Sequence, residues 1–380
     1  MREEERAYWL AWNFVPGVGP ILIQRVQQHF GNLAEAWKAS PSNLREIEGF
    51  GVKLIERVEE ARSRIIPEQL FIEHTQKNPN FWTLGDSEYP QLLREIPNPP
   101  PILYYKGQVK QEENQGITPM VAIVGTRDHT EHGKRWTRKI SRGLAKHGFT
   151  IVSGMAAGID GEAHTSCLDA GGRTIAVVGT GVDVIYPRNH TQLYERIQEN
   201  GLVLSEYPAG TQPHRNNFPP RNRIIAALSR SILVMEAPER SGALITAKYG
   251  NEFKRDVYSL PNSPDNIKSR GCLRLIHDGA EIIITEDELL TRLGAKIKVE
   301  QKTNIVAEKK VQETAEKVTE IPGLEPELME VMEAIATEPT SFDVIVQKTG
   351  KEVGFISSSL LQLELLGLVS QLPGMRYQRC

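Results

Sequence analysis

The chain predicts a doubly wound α/β domain built on a parallel, extended Rossmann-like sheet, flanked by an N-terminal helical module and a C-terminal winged helix. Three observations predict it. Between residues 115 and 294, short continuous apolar runs alternate with helical segments. Within residues 1–66 a G-x-G turn followed by an amphipathic stretch occurs twice, and residues 321–380 end in a helix followed by a short hairpin. At 380 residues the chain is long enough for two or three domains.

The first module rests on the repeat. "VPGVGPILIQRVQQHFG" and "IEGFGVKLIERVEEA" each place an apolar residue, a glycine turn and then an amphipathic helix. Paired helix-hairpin-helix or SAM-like units have this form, and their glycine turns let N–H groups at a helix start face a phosphate. The helices after the turns mix charges (Lys53 and Arg57 against Glu56, Glu59 and Glu60), which favours a small helical packing module over DNA contact. Residues 67–114, with "NPPP" at 98–101, read as an extended connector, because each proline restricts the residue before it.

The central domain, 115–294, alternates cleanly. "MVAIVGT", "FTIVSG", "RTIAVVGTG", "LVLSE", "SILVMEA", "DVYSLP" and "AEIIIT" are strand runs, each followed by a helical stretch. Continuously apolar strands separated by helices indicate a parallel sheet covered on both faces. Residues 295–320, rich in Lys, Glu, Gln and Thr, read as a solvated linker, and 321–380 as the winged helix.

Composition limits the function. A net charge of −3 excludes a broadly basic surface, so any anion site must be focused. The three cysteines form no CxxC and no ligand-like spacing to histidine, which predicts reduced thiols and no metal. The N-terminus has no signal-peptide pattern and no apolar run approaches membrane-spanning length. The expectation is a cytoplasmic protein with no membrane partner and no cofactor.

Ligands of open parallel sheets bind beyond the carboxyl ends of the strands. There the sequence places "GTRDHT", "SGMAAGID", "GTGVDVIYPRNH", "EYPAGTQPHRNNFPPRN" and "EAPERSGALIT", which should converge on one rim. A dinucleotide fingerprint is missing: the first strand ends Gly125-Thr126-Arg127, and Val184 stands where "GTGVDV" would need its third glycine. "SGMAAGID", starting at Ser153 and Gly154, can turn N–H groups to a single phosphate or serve as a tight packing turn. Asp160, Glu162 and His164, with Glu206 and Glu236 at strand ends, are the candidate acids and bases, although a strand-end carboxylate more often caps a helix or holds an arginine.

"HRNNFPPRNRIIAALS" concentrates the binding chemistry. Arg215, Arg221 and Arg223 offer guanidinium forks, while Asn216, Asn217 and Asn222 can hydrogen-bond a phosphate or base edge. Phe218, stiffened by two following prolines, offers a flat face to an unstacked base. The alternative puts Phe218 in the core and pairs the arginines with Glu206 and Glu236. Between Arg127 and Lys146 stand seven basic residues against two acidic, a pattern that also suits a solvated helix face.

In order and spacing, "VAIVGTR", "SGMAAGIDGEAH", "GTGVDVIYP", "LSEYPAG", "NFPPRNRIIAALS", "EAPERSGALIT" and "RGCLRLIHDGA" resemble the bacterial DNA-processing protein A (DprA/Smf) family. The resemblance implies a non-enzymatic protein that binds single-stranded DNA taken up in natural transformation, protects it and loads RecA recombinase. By motif position, Arg127, Arg188 and Arg215 would face phosphates and Phe218 a base; family members often carry lysine where Arg188 and Arg215 stand. It also implies a homodimer through "CLRLIHDGAEII", offering Leu273, Ile276 and Ile282, residues that ordinary core packing also explains. The rival class is a nucleotide-binding or phosphoribohydrolase-like enzyme of related fold, whose P-G-G-x-G-T stretch is here "EAPERSGALIT".

Overall fold

The computed structural model describes residues 3–294, 326–335, 340–351, 353–372 and 376–379. These fall into two units divided near residue 300. The expected linker, 295–320, lies outside the described residues.

The first unit is organised by a nine-stranded sheet. Its strands are β1 (Phe81–Thr83), β2 (Ile102–Gly107), β3 (Met120–Gly125), β4 (Thr150–Ser153), β5 (Arg173–Val177), β6 (Leu202–Ser205), β7 (Ser231–Glu236), β8 (Asp256–Ser259) and β9 (Glu281–Ile282). They lie in the order β1-β2-β6-β5-β4-β3-β7-β8-β9. From β6 to β9 all neighbours are parallel. β3, β4, β5 and β7 are buried along nearly all of their length because helices cover both faces, so no exposed side needs to alternate with a buried one. The chain runs outward from β3 through β4 to β6, then returns to β3 and continues through β7 to β9. The reversal leaves a crevice at the carboxyl ends of β3 and its neighbours.

The expectation of an extended connector over 67–114 is corrected. Pro67–Lys77 is a helix, and β1 and β2 extend the sheet, β2 pairing antiparallel with β6. Pro99, Pro100 and Pro101 are buried before β2, and their stiffness fixes acceptors in place: Pro101 O receives Leu84 N–H (2.9 Å) and Pro100 O the Tyr89 hydroxyl (2.9 Å).

The N-terminal helices are not a separate body. One apolar cluster runs from Trp12, Val26 and Val58 through Trp82 and Leu103 to Val152 and Val234. Arg6 of the helix Glu3–Asn13 donates to Phe81 O (2.6 Å), tying that helix to β1. The sequence repeat is a reciprocal pair of hairpins. Gly17, at φ +90°, abuts Leu54 and Arg57, while Gly49, at φ +97°, abuts Leu22 and Arg25. Arg25 donates to Glu48 O at 2.8 Å, closing one turn from the helix that follows the other.

The second unit has helices Pro326–Ala334, Phe342–Thr349 and Val353–Leu365 and the antiparallel strands β10 (Thr340–Ser341), β11 (Val369–Leu372) and β12 (Arg376–Arg379), ordered β10-β12-β11. Val331, Ile345, Ile356, Leu360 and Val369 form its core. This is the helix-then-hairpin order of a winged helix.

Candidate nucleic-acid interface

All five predicted loops meet at the crevice and line one open cleft of about 610 Å³. The loop after β3 contributes Thr126 and Arg127, that after β4 Ala156 and Asp160, and that after β5 Tyr186. The β6 loop and its helix Phe218–Leu228 bring Arg215, Phe218, Arg221 and Asn222; the β7 loop brings Arg240 and Ser241.

Close backbone approaches hold these loops in place. Gly158, at φ +84°, lets the β4 loop press on the β3 loop: a Cβ there would lie 2.4 Å from Thr126 O, and Ile159 N–H donates to that carbonyl at 3.1 Å. Gly179 forms the floor under Phe218, since a Cβ would meet its ring at 2.9 Å.

Phe218 is half-buried at the first turn of its helix, with one flank on Gly179. Tyr186, 38% exposed, lies beside it with ring centroids 5.5 Å apart at 31°. The guanidinium carbons of Arg127 and Arg221 each lie 5.9 Å from the Phe218 centroid. Aromatic and cationic faces thus adjoin one opening, where a base can stack and a phosphate be neutralised.

Sequence alone did not single out Tyr186 or Arg240. Tyr186 lies two residues before Arg188 in "VIYPRNH", and that aromatic-cation spacing at a strand-end loop was its one signal. Arg240 was visible only as a charge within "EAPERSG".

Arg127, Arg188 and Arg215 are exposed. Arg127 and Arg215 line the cleft, whereas Arg188, on the short turn Arg188–His190, stands outside its lining. Asn216 is exposed; Asn217 is engaged with Gly179 O (3.1 Å), and Asn222 with Gly242 O (3.1 Å).

Four expected contacts are corrected. Arg223 is 5% exposed and grips Glu206 with both terminal nitrogens (2.8 and 2.9 Å) while donating to Asn98 O and Pro220 O. Its fork is filled, so no phosphate can take it. Ser153 is fully buried and spends its hydroxyl on Ile123 O (2.6 Å); buried Gly154 gives its N–H to Asp160 (3.1 Å). Arg221 is 4% exposed, donating to Gly154 O (2.7 Å) and Val177 O, and only its edge reaches the cleft. Burial lowers Arg221 to about 10, although Asp160 nearby opposes this. Burial likewise pushes Asp160 up to about 6, against the pull of Arg221 and backbone N–H groups.

The candidate acids and bases are all held by structural partners. Glu236, fully buried, accepts from Thr130 N–H (2.7 Å) and its hydroxyl (2.8 Å), fastening the start of the helix Glu131–Lys146. Glu162 pairs with Arg138 at 2.6 Å. His164 is fully buried against Thr174, and burial holds it down to about 3. Among the described residues no three potential metal ligands cluster, and no helix is long and apolar enough to cross a membrane. Burial pushes the Cys167 and Cys272 thiols up to about 12 and 11.

Arginines stand around an aromatic pair at the switch point of the sheet, the place where proteins of the Rossmann-like class hold their ligands. Residues 80–294 match the family described as DNA recombination-mediator protein A, and residues 315–375 the DprA winged helix domain. The chain belongs to this DprA/Smf family. Among curated relatives, Protein Smf of Synechocystis is 55% identical over 397 residues, spanning the whole of both chains. Protein Smf of Escherichia coli is 36% identical over 76% of this chain and 75% of its own. DNA processing protein A from Streptococcus pneumoniae superposes with a TM-score of 0.66 at 34% identity, covering 77% of this chain and 98% of that one. The corresponding protein from Helicobacter pylori, whose structure is described for its single-stranded DNA binding mode, gives 0.51 at 32% identity over 56% of this chain and 95% of that one.

Proposed function

We propose that this chain binds single-stranded DNA through the rim cleft, in the cytoplasm, during transformation and homologous recombination. The observation that carries the reading is the juxtaposition of Phe218 and Tyr186 with Arg127 and Arg215 in one opening. Stacking needs an exposed base face, so oligo-dT should bind well and a blunt duplex of equal length poorly. Equal affinity for the two in a fluorescence titration would sink the reading. We also propose, from the family resemblance alone, that it protects the strand and loads RecA; neither role rests on a residue identified above.

Exposed Arg215 has the simplest expected effect. A phosphate contact releases counterions, so Arg215→Ala should weaken oligo-dT binding and flatten the plot of log affinity against log salt by about one unit. An unchanged slope would remove Arg215 from the phosphate path.

We take the protein to be a binder without hydrolytic activity, because Glu236, Glu206 and Glu162 each hold a structural partner. Release of free base from a nucleoside monophosphate, lost in Glu236→Ala, would favour the enzyme reading instead. We also take it to be a homodimer through the β9 edge. Leu273 and Ile276 are half-buried there, while Ile282 is 43% and Ile284 56% exposed, on a sheet edge with an unpaired side. Ile282→Glu should convert a dimer to a monomer by light scattering; a parent that is already monomeric would remove this assignment.

A further inference from the structure

Outside the rim cleft, cationic charge concentrates on one helix. Glu131–Lys146 carries six cations, Lys134, Arg135, Arg138, Lys139, Arg142 and Lys146, against one acid, Glu131. With Glu286 across from them, these side chains line a second groove of about 860 Å³. A helix that is merely solvated interleaves its signs, as Val52–Arg64 does with Glu56, Glu59 and Glu60 among Lys53, Arg57, Arg62 and Arg64. The stripe on Glu131–Lys146 is nearly one-signed in a chain whose net charge is −3, so its field is local and focused.

The stripe is held firmly and only partly neutralised. Ile140 and Leu144 anchor the opposite side of the helix among Val121, Ile123 and Leu233, and Glu236 fastens its start through Thr130. Arg138 pairs with Glu162 (2.6 Å), Lys139 with Glu286 (3.5 Å) and Lys134 with Glu131 (4.0 Å). Arg135, Arg142 and Lys146 are exposed, and among the described residues none of the three has an ion pair or a side-chain hydrogen bond. With Arg138 between them, these cations step along the axis by three or four residues, about 5 to 6 Å at a time. The helix begins four residues after Arg127 and runs from the carboxyl end of β3 to the start of β4, away from the rim.

We propose that the exposed face of Glu131–Lys146 is a backbone track for single-stranded DNA, on which a strand seated in the rim cleft continues past Arg127 and away from the rim. This extends the single-stranded DNA reading given above and rests on it. Arg135, Arg142 and Lys146 take phosphates of the strand, while Arg138 and Lys139, already shared with carboxylates, add to the field. The aromatic residue of the helix, Trp136, packs on the core beneath the Lys139 ammonium, 5.3 Å from its ring centroid. The track therefore offers cations without an open ring, and it holds the backbone without reading bases. Its contribution should grow with strand length and fall with salt, unlike the stacking on Phe218.

The test titrates the full chain with labelled oligo-dT of about 6 and about 20 nucleotides over a series of salt concentrations. The triple variant Arg135→Gln, Arg142→Gln and Lys146→Gln changes exposed positions to a good helix former, so it should melt with the parent. For the longer strand it should weaken binding about tenfold and flatten the salt plot by about two units, at about 0.7 per phosphate contact in a single strand. The shorter strand, which the cleft alone can hold, should bind within about twofold of the parent. Phe218→Ala should instead weaken both lengths. A parental slope for the longer strand in the triple variant would overturn the track while leaving the cleft reading intact. Equal losses at both lengths would also overturn it, since the cations would then act as a general field. So would parental DNA binding by a triple variant that has lost binding of poly-glutamate, which would give the face to an acidic protein. If the parent binds neither length, the single-stranded DNA reading itself fails and the track falls with it.

Discussion

Arg223→Ala is expected to lower the unfolding free energy by about 3 to 5 kcal/mol. The residue lies in the middle of the binding stretch, yet its guanidinium is buried against Glu206 and two backbone carbonyls. Deleting it leaves a carboxylate with 17% side-chain exposure and no counter-charge, together with unsatisfied carbonyls. Urea unfolding followed by fluorescence measures the loss. The folded fraction should bind oligo-dT with a near-parental salt slope. A variant of parental stability whose slope falls by about one would return Arg223 to the phosphate path.

Phe218→Ala should do the opposite, losing roughly 1 to 3 kcal/mol of oligo-dT binding with little change in the salt slope. Stacking releases few counterions, so affinity falls by a similar factor at every salt concentration. The ring is only half-buried, resting on Gly179 and Tyr186, so truncation should leave the fold intact. A large drop in melting temperature with normal binding by the folded fraction would assign the ring to packing. Tyr186→Ala should show a smaller loss of the same kind.

The parallel strands were legible because helices cover both faces, and a doubly covered strand reads as an unbroken apolar run. The site was legible as loops, since strand-end segments rich in glycine and arginine can meet in only one place on such a sheet. Which arginines face outward was not legible. Arg215 and Arg223 carry the same charge eight residues apart, and only the fold places Glu206 against one of them. β1 and β2 were hidden differently. At three and six residues, and beside a run of prolines, they look like linker. The prolines are instead buried anchors whose carbonyls receive Leu84 and Tyr89.

The reciprocal glycine turns near the N-terminus govern how the chain can be shortened. Each turn is completed by the helix belonging to the other, so half of the pair has no finished surface of its own. A cut between the repeats would strip Leu22 and Arg25 of the turn they lean on and open the apolar cluster that continues under the sheet. Even removing both repeats would take Val26 and Val58 out of the apolar cluster that they share with Trp12, Trp82 and Leu103. The amino-terminal helices are therefore a foundation of the sheet's β1–β2 end and cannot be treated as a detachable appendage.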